Sequence, residues 1–158
     1  GVPMQFSRPS RLGKRALLSL VALMASMGSS QLFAASEEAG VVHQLRIYEL
    51  YDETKAAFHE RFRDHAERIM QKYDFHIVAM WEARTEDGPE FVYLLEWPDE
   101  ETMKKRWAEF MADQEWSDIK AETSRIHGRF VGGIEDRTLV LTDYSPGTSL
   151  LNEGQQGQ

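Results

Sequence analysis

Cysteine is absent from the 158-residue sequence, so the chain has no disulfide bond, no thiolate metal site and no cysteine nucleophile. A glycine-rich phosphate loop is missing too, because Gly132-Gly133 is an isolated pair that predicts a turn. Ser117, Ser124 and Ser145 lack the flanking residues of a nucleophile elbow. These absences argue against nucleotide hydrolysis and against a serine hydrolase.

The sequence also lacks an apolar run long enough to span a bilayer, which needs about 20 residues. A shorter run at residues 16–27 follows a basic start and leads to small residues that end in Phe33-Ala34-Ala35. This pattern predicts a secretory signal peptide at residues 1–35, cut after Ala34 or Ala35. We therefore expect a periplasmic or secreted protein with no stable membrane anchor after signal removal. A mitochondrial presequence is the alternative, because the segment contains arginine and serine but no acidic residue.

Positive charge is scarce after this segment. Removal of residues 1–35 also removes four basic residues, Arg8, Arg11, Lys14 and Arg15. The rest of the chain then has 14 of the 18 basic residues and all 26 acidic ones. The formal net charge thereby falls from −8 to −12. A domain this acidic repels phosphate backbones, so we expect no nucleic-acid partner.

Hydrophobic periodicity predicts one α+β domain at residues 36–146, followed by a disordered tail at residues 147–158. Apolar or alternating segments predict four strands, at residues 41–51, 75–84, 91–97 and 134–142. The second and third strands form a hairpin around the turn at residues 86–89.

Two helical segments separate these strands. The first has Asp52 as its expected N-cap and runs to about residue 73. Its buried stripe consists of Phe58, Phe62, His65 and Ile69. The second follows Pro98-Asp99, is interrupted at Asp113-Gln114, and continues as a short helix from Trp116.

The resulting order, β-α-β-β-α-β, predicts a ferredoxin-like arrangement. Two helices cover only one face of a four-stranded sheet, and the other face carries apolar side chains. A second subunit is the natural cover for that face. We therefore expect a homodimer with a cavity between the two subunits.

Five segments stand out in order along the chain: His43–Tyr48 (HQLRIY), Phe62–His65 (FRDH), Val92–Trp97 (VYLLEW), Asp113–Trp116 (DQEW) and Leu139–Pro146 (LVLTDYSP). Together they resemble motifs of the NIPSNAP family, with Gln114 where proline is usual. The resemblance covers about residues 42–146 and implies a dimeric α/β-barrel fold. That superfamily includes cofactor-free monooxygenases, haem-degrading proteins and stress-response barrels. NIPSNAP domains themselves have no agreed chemistry.

Arg46 and Tyr48 are candidate ligand-binding residues because they share one face of the first strand. In a cavity, the arginine would hold a carboxylate or phosphate and the tyrosine would supply a hydroxyl. The alternative for Arg46 is a cross-strand ion pair with an acid such as Glu82 or Glu96. Trp81 and Trp97 are strand tryptophans that would line the same cavity for a flat hydrophobic ligand, with plain core packing as their alternative.

His65 is the catalytic candidate, as a general base or an axial haem ligand. The alternative is a buried histidine satisfied by one hydrogen bond. His59 lies about 240° away from His65 around a helix, so the two cannot share a metal on one face. His43, His76 and His127 show no ligand spacing either, and we expect no metal site.

Three functional hypotheses remain open. The first is an exported homodimer, with no cofactor, that binds a small, partly aromatic ligand. The second is an enzyme, either a cofactor-independent monooxygenase or a haem-handling barrel, with His65, Tyr48 and Trp81 near the reacting group. The third is a structural dimer that offers its surface to a protein partner.

Overall fold

The structure is a computed structural model that describes residues 40–148 and Leu150. The predicted signal peptide at residues 1–35 lies outside the described residues, as does most of the predicted tail. No helix in the described part of the chain is both long enough and apolar enough to cross a membrane.

The described residues form an antiparallel sheet of four strands and a layer of helices, which confirms the α+β class. The strands are β1 (Val42–Leu50), β2 (His76–Thr85), β3 (Gly88–Trp97) and β4 (Val131–Leu139). The helices are α1 (Lys55–Arg61), α2 (Glu67–Lys72), α3 (Glu100–Met111) and α4 (Gln114–His127). The strand order β2-β3-β1-β4 is that of a ferredoxin-like fold.

The central strand β3 shows why the sheet has two different faces. Phe91, Tyr93, Leu95 and Trp97 alternate along it and are buried against the helices. The residues between them lie on the opposite face, because successive side chains of a strand point to opposite sides. Val92 and Leu94 are among these residues, so β3 has apolar side chains on both faces of the sheet.

A π-helical segment at Phe62–Ala66 joins α1 to α2. A π-helix takes more residues per turn than an α-helix, because its hydrogen bonds run from residue i to i+5. The buried stripe consequently passes from Phe62 to Ala66, which is fully buried, while His65 is only partly buried. The expected stripe was therefore wrong at His65.

Two further boundaries differ from the expected ones. Thr54 rather than Asp52 precedes α1, and the Asp52 carboxylate accepts a hydrogen bond from Arg84 Nη2 at 2.6 Å. The Gly132-Gly133 pair lies inside β4 rather than before it. The amide nitrogen of Gly133 donates to Glu49 Oε2 at 2.9 Å, and a Cβ at Gly133 would lie 2.9 Å from that carboxylate. Glycine at this position thus permits a close approach between strands.

Candidate functional site

A cavity of about 230 Å³ lies between β1 and the helices. Arg46 and Tyr48 contribute its sheet side, and helical residues contribute the opposite wall. The aromatic members of the wall are Tyr48, Phe58, Phe62, Trp107, Phe110 and Trp116. The cavity therefore lies within one chain, which corrects the expectation that Arg46 and Tyr48 face a space between subunits.

Gln44 fixes the orientation of the tryptophan nearest to Arg46. Its side-chain oxygen accepts hydrogen bonds from Trp107 Nε1 at 2.7 Å and from Trp97 Nε1 at 3.0 Å. Its amide nitrogen donates to Asp136 Oδ2 at 2.7 Å. Sequence reasoning missed Gln44, although a polar residue on the buried face of a strand was the available signal.

Arg46 makes contacts in three directions. Its Nη1 donates to Asp136 of β4, and its Nη2 donates to the Tyr48 hydroxyl at 3.2 Å. Its guanidinium carbon lies 4.3 Å from the centre of the Trp107 ring. The predicted cross-strand ion pair is therefore present, but its partner is Asp136 and not Glu82 or Glu96.

The other two acids have different partners. Glu96 contacts His43 Nε2 at 3.0 Å, and Glu82 contacts Lys55 and His59. Burial by itself lowers the pKa of Arg46, but Tyr48, Tyr93 and Asp136 outweigh that effect and raise the pKa above its usual value. Arg46 is consequently a permanent cation with one carboxylate already bound to it.

The Tyr48 hydroxyl also contacts the Tyr93 hydroxyl, at 2.7 Å. Tyr93 is fully buried beneath the cavity floor. Burial raises the pKa of Tyr93 well above its usual range, and the neighbouring Tyr48 adds to that effect. Tyr93 therefore stays protonated near neutral pH and acts as a neutral hydrogen-bonding group.

Two other basic residues, Arg61 and Lys120, line the helical side of the cavity. Arg61 is 9 % exposed, and its Nη1 donates to the Thr123 hydroxyl at 3.0 Å. Its guanidinium lies 4.3 Å from the Phe130 ring centre and 5.3 Å from that of Trp116. Within the described residues, neither Arg61 nor Lys120 forms an ion pair.

The electrostatics of these two residues reflect their burial and mutual proximity. Burial lowers the pKa of Arg61 to about 10. Burial also lowers the pKa of Lys120, and the charge of Arg61 lowers it further. Sequence reasoning missed both residues, because charged positions on amphipathic helices usually face solvent.

The remaining sequence candidates lie apart from this cavity. Trp97 is 1 % exposed and packs against Phe75 in the core. Trp81 is about half exposed and borders a separate pocket of about 240 Å³ that includes His59 and Glu82. His65 borders neither pocket, and its Nδ1 is buried with no partner among the described residues. Of the five candidate residues, the structure brings only Arg46 and Tyr48 together in one cavity.

Metal ligands do not cluster anywhere in residues 40–148: no group of three or more histidine, aspartate or glutamate side chains there has the geometry of a metal site. The polar groups of the cavity are instead guanidinium, ammonium and phenol groups. Such groups bind anions and hydrogen-bond acceptors rather than cations.

Comparison with known proteins identifies the family of this domain. The family model NIPSNAP matches residues 43–146. A NIPSNAP-like domain protein from Burkholderia xenovorans is 17 % identical, with a TM-score of 0.59 and a match that covers 69 % of this chain and 91 % of that one. A NIPSNAP family protein of unknown function from Agrobacterium tumefaciens is 18 % identical, with a TM-score of 0.57 and coverage of 68 % and 94 %.

At these identities the solved structures establish the fold alone. SnoaB from Streptomyces nogalater, a cofactor-independent oxygenase, is 15 % identical with a TM-score of 0.44 over 69 % of this chain and all of its own. A similarity of that size supports no statement about chemistry. No curated protein matches the chain.

Proposed function

The chain belongs to the NIPSNAP family, and on that premise we propose that it is an exported homodimer that binds a small, partly aromatic ligand. The observation that carries this proposal is the wall of the cavity between β1 and the helices. Aromatic rings surround most of it, while Arg46 and Tyr48 supply a few convergent polar groups. Pockets for small molecules have this composition.

The size of the cavity restricts the ligand. Its volume of about 230 Å³ is smaller than the roughly 300–1,000 Å³ of pockets that take drug-sized molecules. A ligand of one or two rings suits this space. Its flat faces would pack against Trp107, Phe110 and Trp116, because aromatic pairs prefer offset-stacked or edge-to-face contact.

The indole N–H signals of the four tryptophans test the location of binding in one NMR titration. We expect added 1-naphthaleneacetate to shift the Trp107 and Trp116 signals and to leave Trp81 unchanged. Trp→Phe variants at each position assign the signals. A saturable shift confined to Trp81, or no shift at any tryptophan, would contradict the proposed site.

The proposed dimer rests on the sheet face that the helices leave uncovered. Leu45 pairs with Leu94 and Ile47 pairs with Val92 in the register of β1 and β3. These residues alternate with the cavity residues, so they lie on the opposite face. A contiguous apolar strip on two central strands favours cover by an identical strip from a second chain.

Light scattering of the mature domain tests this arrangement. We expect a dimer at micromolar concentration, and we expect Ile47→Lys to convert it to a monomer because a charge would be buried at the interface. The same substitution at Ile126, an exposed isoleucine of α4, provides the control. A wild-type monomer would remove the dimer from the proposal.

Export rests on the pattern of residues 1–35. Expression of the full chain in a bacterium with an intact secretion pathway should give a periplasmic product. Its intact mass should correspond to cleavage after Ala34 or Ala35. An uncleaved cytoplasmic product would contradict export, and import into mitochondria with cleavage would favour the presequence alternative.

An oxygenase is the second candidate, favoured by the position of the Tyr48 hydroxyl. It lies in the cavity wall and accepts a hydrogen bond from the Arg46 cation at 3.2 Å. A guanidinium N–H and a phenol at one point would donate hydrogen bonds to the anionic form of an oxidisable phenolic substrate. Oxygen uptake with a panel of small phenols tests this candidate, and uptake that survives Tyr48→Phe would count against it.

A further inference from the structure

The helical side of the cavity carries a pair of positive charges without a counterion. Arg61 is almost completely buried, and Lys120 is half-buried beside it in the same wall. No carboxylate of the described residues lies within ion-pair distance of either group, whereas Lys72 and Arg68 on the neighbouring α2 each have one. Buried charges in proteins are normally paired, so Arg61 requires an explanation.

Packing alone accounts for only part of the environment of Arg61. The guanidinium lies over the Phe130 ring, and one of its five N–H groups donates to Thr123. These contacts orient the side chain, but aromatic rings and a hydroxyl do not neutralise its charge. Lys120 adds a second positive charge next to the first, which is unfavourable unless an anion joins them.

Arg46, on the opposite side of the cavity, has a different electrostatic situation. Asp136 already neutralises Arg46, so the sheet side of the cavity carries no net positive charge. An anionic ligand would therefore place its charge at Arg61 and Lys120 rather than at Arg46. The aromatic wall between the two sides would hold the rest of the molecule.

We infer that Arg61 and Lys120 form an anion subsite that binds the carboxylate of a small aromatic acid. This inference rests on the proposed ligand-binding function and specifies the chemical class of the ligand. The guanidinium and the ammonium groups donate to the carboxylate oxygens, and the ring system packs on Trp116 and Phe110. Charge-assisted hydrogen bonds of this kind are stronger than those between neutral groups.

Two probe molecules that differ only in charge test whether the subsite binds an anion. 1-Naphthaleneacetate and 1-naphthaleneacetamide have the same rings and nearly the same shape, but only the first is charged. Calorimetric titration of the dimeric mature protein should give at least about tenfold tighter binding of the carboxylate, the smaller end of what a hydrogen bond to a charged group contributes.

Lys120→Met removes one charge and keeps most of the length of the side chain. We expect this variant to bind the carboxylate about tenfold more weakly and to bind the amide as the wild type does. Lys105→Met is the matched control, because Lys105 is exposed on α3 and its loss changes the net charge equally. Arg61→Lys keeps the positive charge of the other subsite residue, and we expect it to retain the preference for the carboxylate.

The possible outcomes separate the subsite from the cavity function. A carboxylate preference that is lost in Lys120→Met and kept in Lys105→Met supports the inference. Equal affinity of the wild type for both probes overturns the anion subsite and leaves the aromatic cavity in place. Failure of both probes to bind overturns the proposed function, and the subsite with it.

Discussion

Arg46 and Trp107 connect β1 to α3 across the cavity, with the guanidinium carbon 4.3 Å from the centre of the indole ring. The same guanidinium donates to Asp136 of β4. The indole N–H donates to Gln44, two residues before Arg46 on β1. The wall of the cavity and the packing of the helical layer therefore depend on the same contacts.

Arg46→Met should lower the free energy of unfolding by about 1–2 kcal/mol, because it removes a partly buried cation–π contact and an ion pair. Urea denaturation of the mature protein measures this difference. Arg63→Met is the control, since Arg63 is exposed and pairs only with the adjacent Asp64. If Arg63→Met lowered the free energy of unfolding by as much as Arg46→Met does, the contacts of Arg46 with Trp107 and Asp136 would contribute nothing to stability.

Tyr48→Phe should cost about 1–3 kcal/mol of stability, because it leaves the fully buried Tyr93 hydroxyl without the partner that the structure shows. Adding Tyr93→Phe removes that buried hydroxyl as well, so the double variant should be less destabilised than the sum of the single ones. Thermal unfolding of the four proteins completes the cycle. Strict additivity would mean that the two hydroxyls do not interact.

Much of the fold could be predicted from the sequence because apolar periodicity determines which residues are buried. The nearly continuous apolar run at residues 91–97 correctly predicted a central strand, and Asp99 correctly marked the start of α3, where it accepts from the Thr102 amide at 2.6 Å. Periodicity failed at the π-helical segment, where extra residues per turn put Ala66 in the buried position.

Asp113 caps α4 through its contact with the Trp116 amide at 2.9 Å, and it also accepts from Lys72 and Tyr73. Asp113→Ala should therefore destabilise the fold by about 1–2 kcal/mol at pH 7. Asp143→Ala, at an exposed position after β4, should have little effect. Chemical denaturation at a series of pH values measures both.

The effect of Asp113→Ala should shrink in acid. The hydrogen bonds from Lys72, Tyr73 and the Trp116 amide hold the pKa of Asp113 well below its usual range. A depressed folded-state pKa gives stability that is present above the unfolded value of about 3.9 and is lost as the pH falls toward the folded value. A difference between wild type and variant that grows below pH 4 would contradict this account.

The candidate site was less predictable than the fold, because a cavity wall is assembled from several elements. The strand pattern correctly placed Arg46 and Tyr48 on one face, but it could not show that helices cover that face. Asp136 is 90 residues away from Arg46, and no local pattern links the two. The burial of Arg61 could not be predicted for a similar reason. It depends on Trp116 and Phe130, which come much later in the chain.

The carboxylate preference of the cavity should fall at alkaline pH. Lys120 lies beside Arg61 of α1, with Arg46 and Tyr48 of β1 across the cavity, and burial together with the Arg61 charge lowers its pKa below 10.5. As pH rises through that lowered pKa, the ammonium loses its proton and its attraction for the carboxylate. The affinity ratio of 1-naphthaleneacetate to its amide should therefore fall in wild type, and it should fall less in Lys120→Met, where Arg61, whose pKa burial also lowers, is the one remaining cation of the subsite.

Native mass spectrometry of the mature protein, purified gently from its own host, tests the central claim most directly. The account predicts a dimer that carries a defined extra mass, which is released on denaturation as a small aromatic acid. The extra mass should be absent from Lys120→Met prepared in the same way. A monomer, or an empty dimer that also fails to take up 1-naphthaleneacetate, would contradict the account.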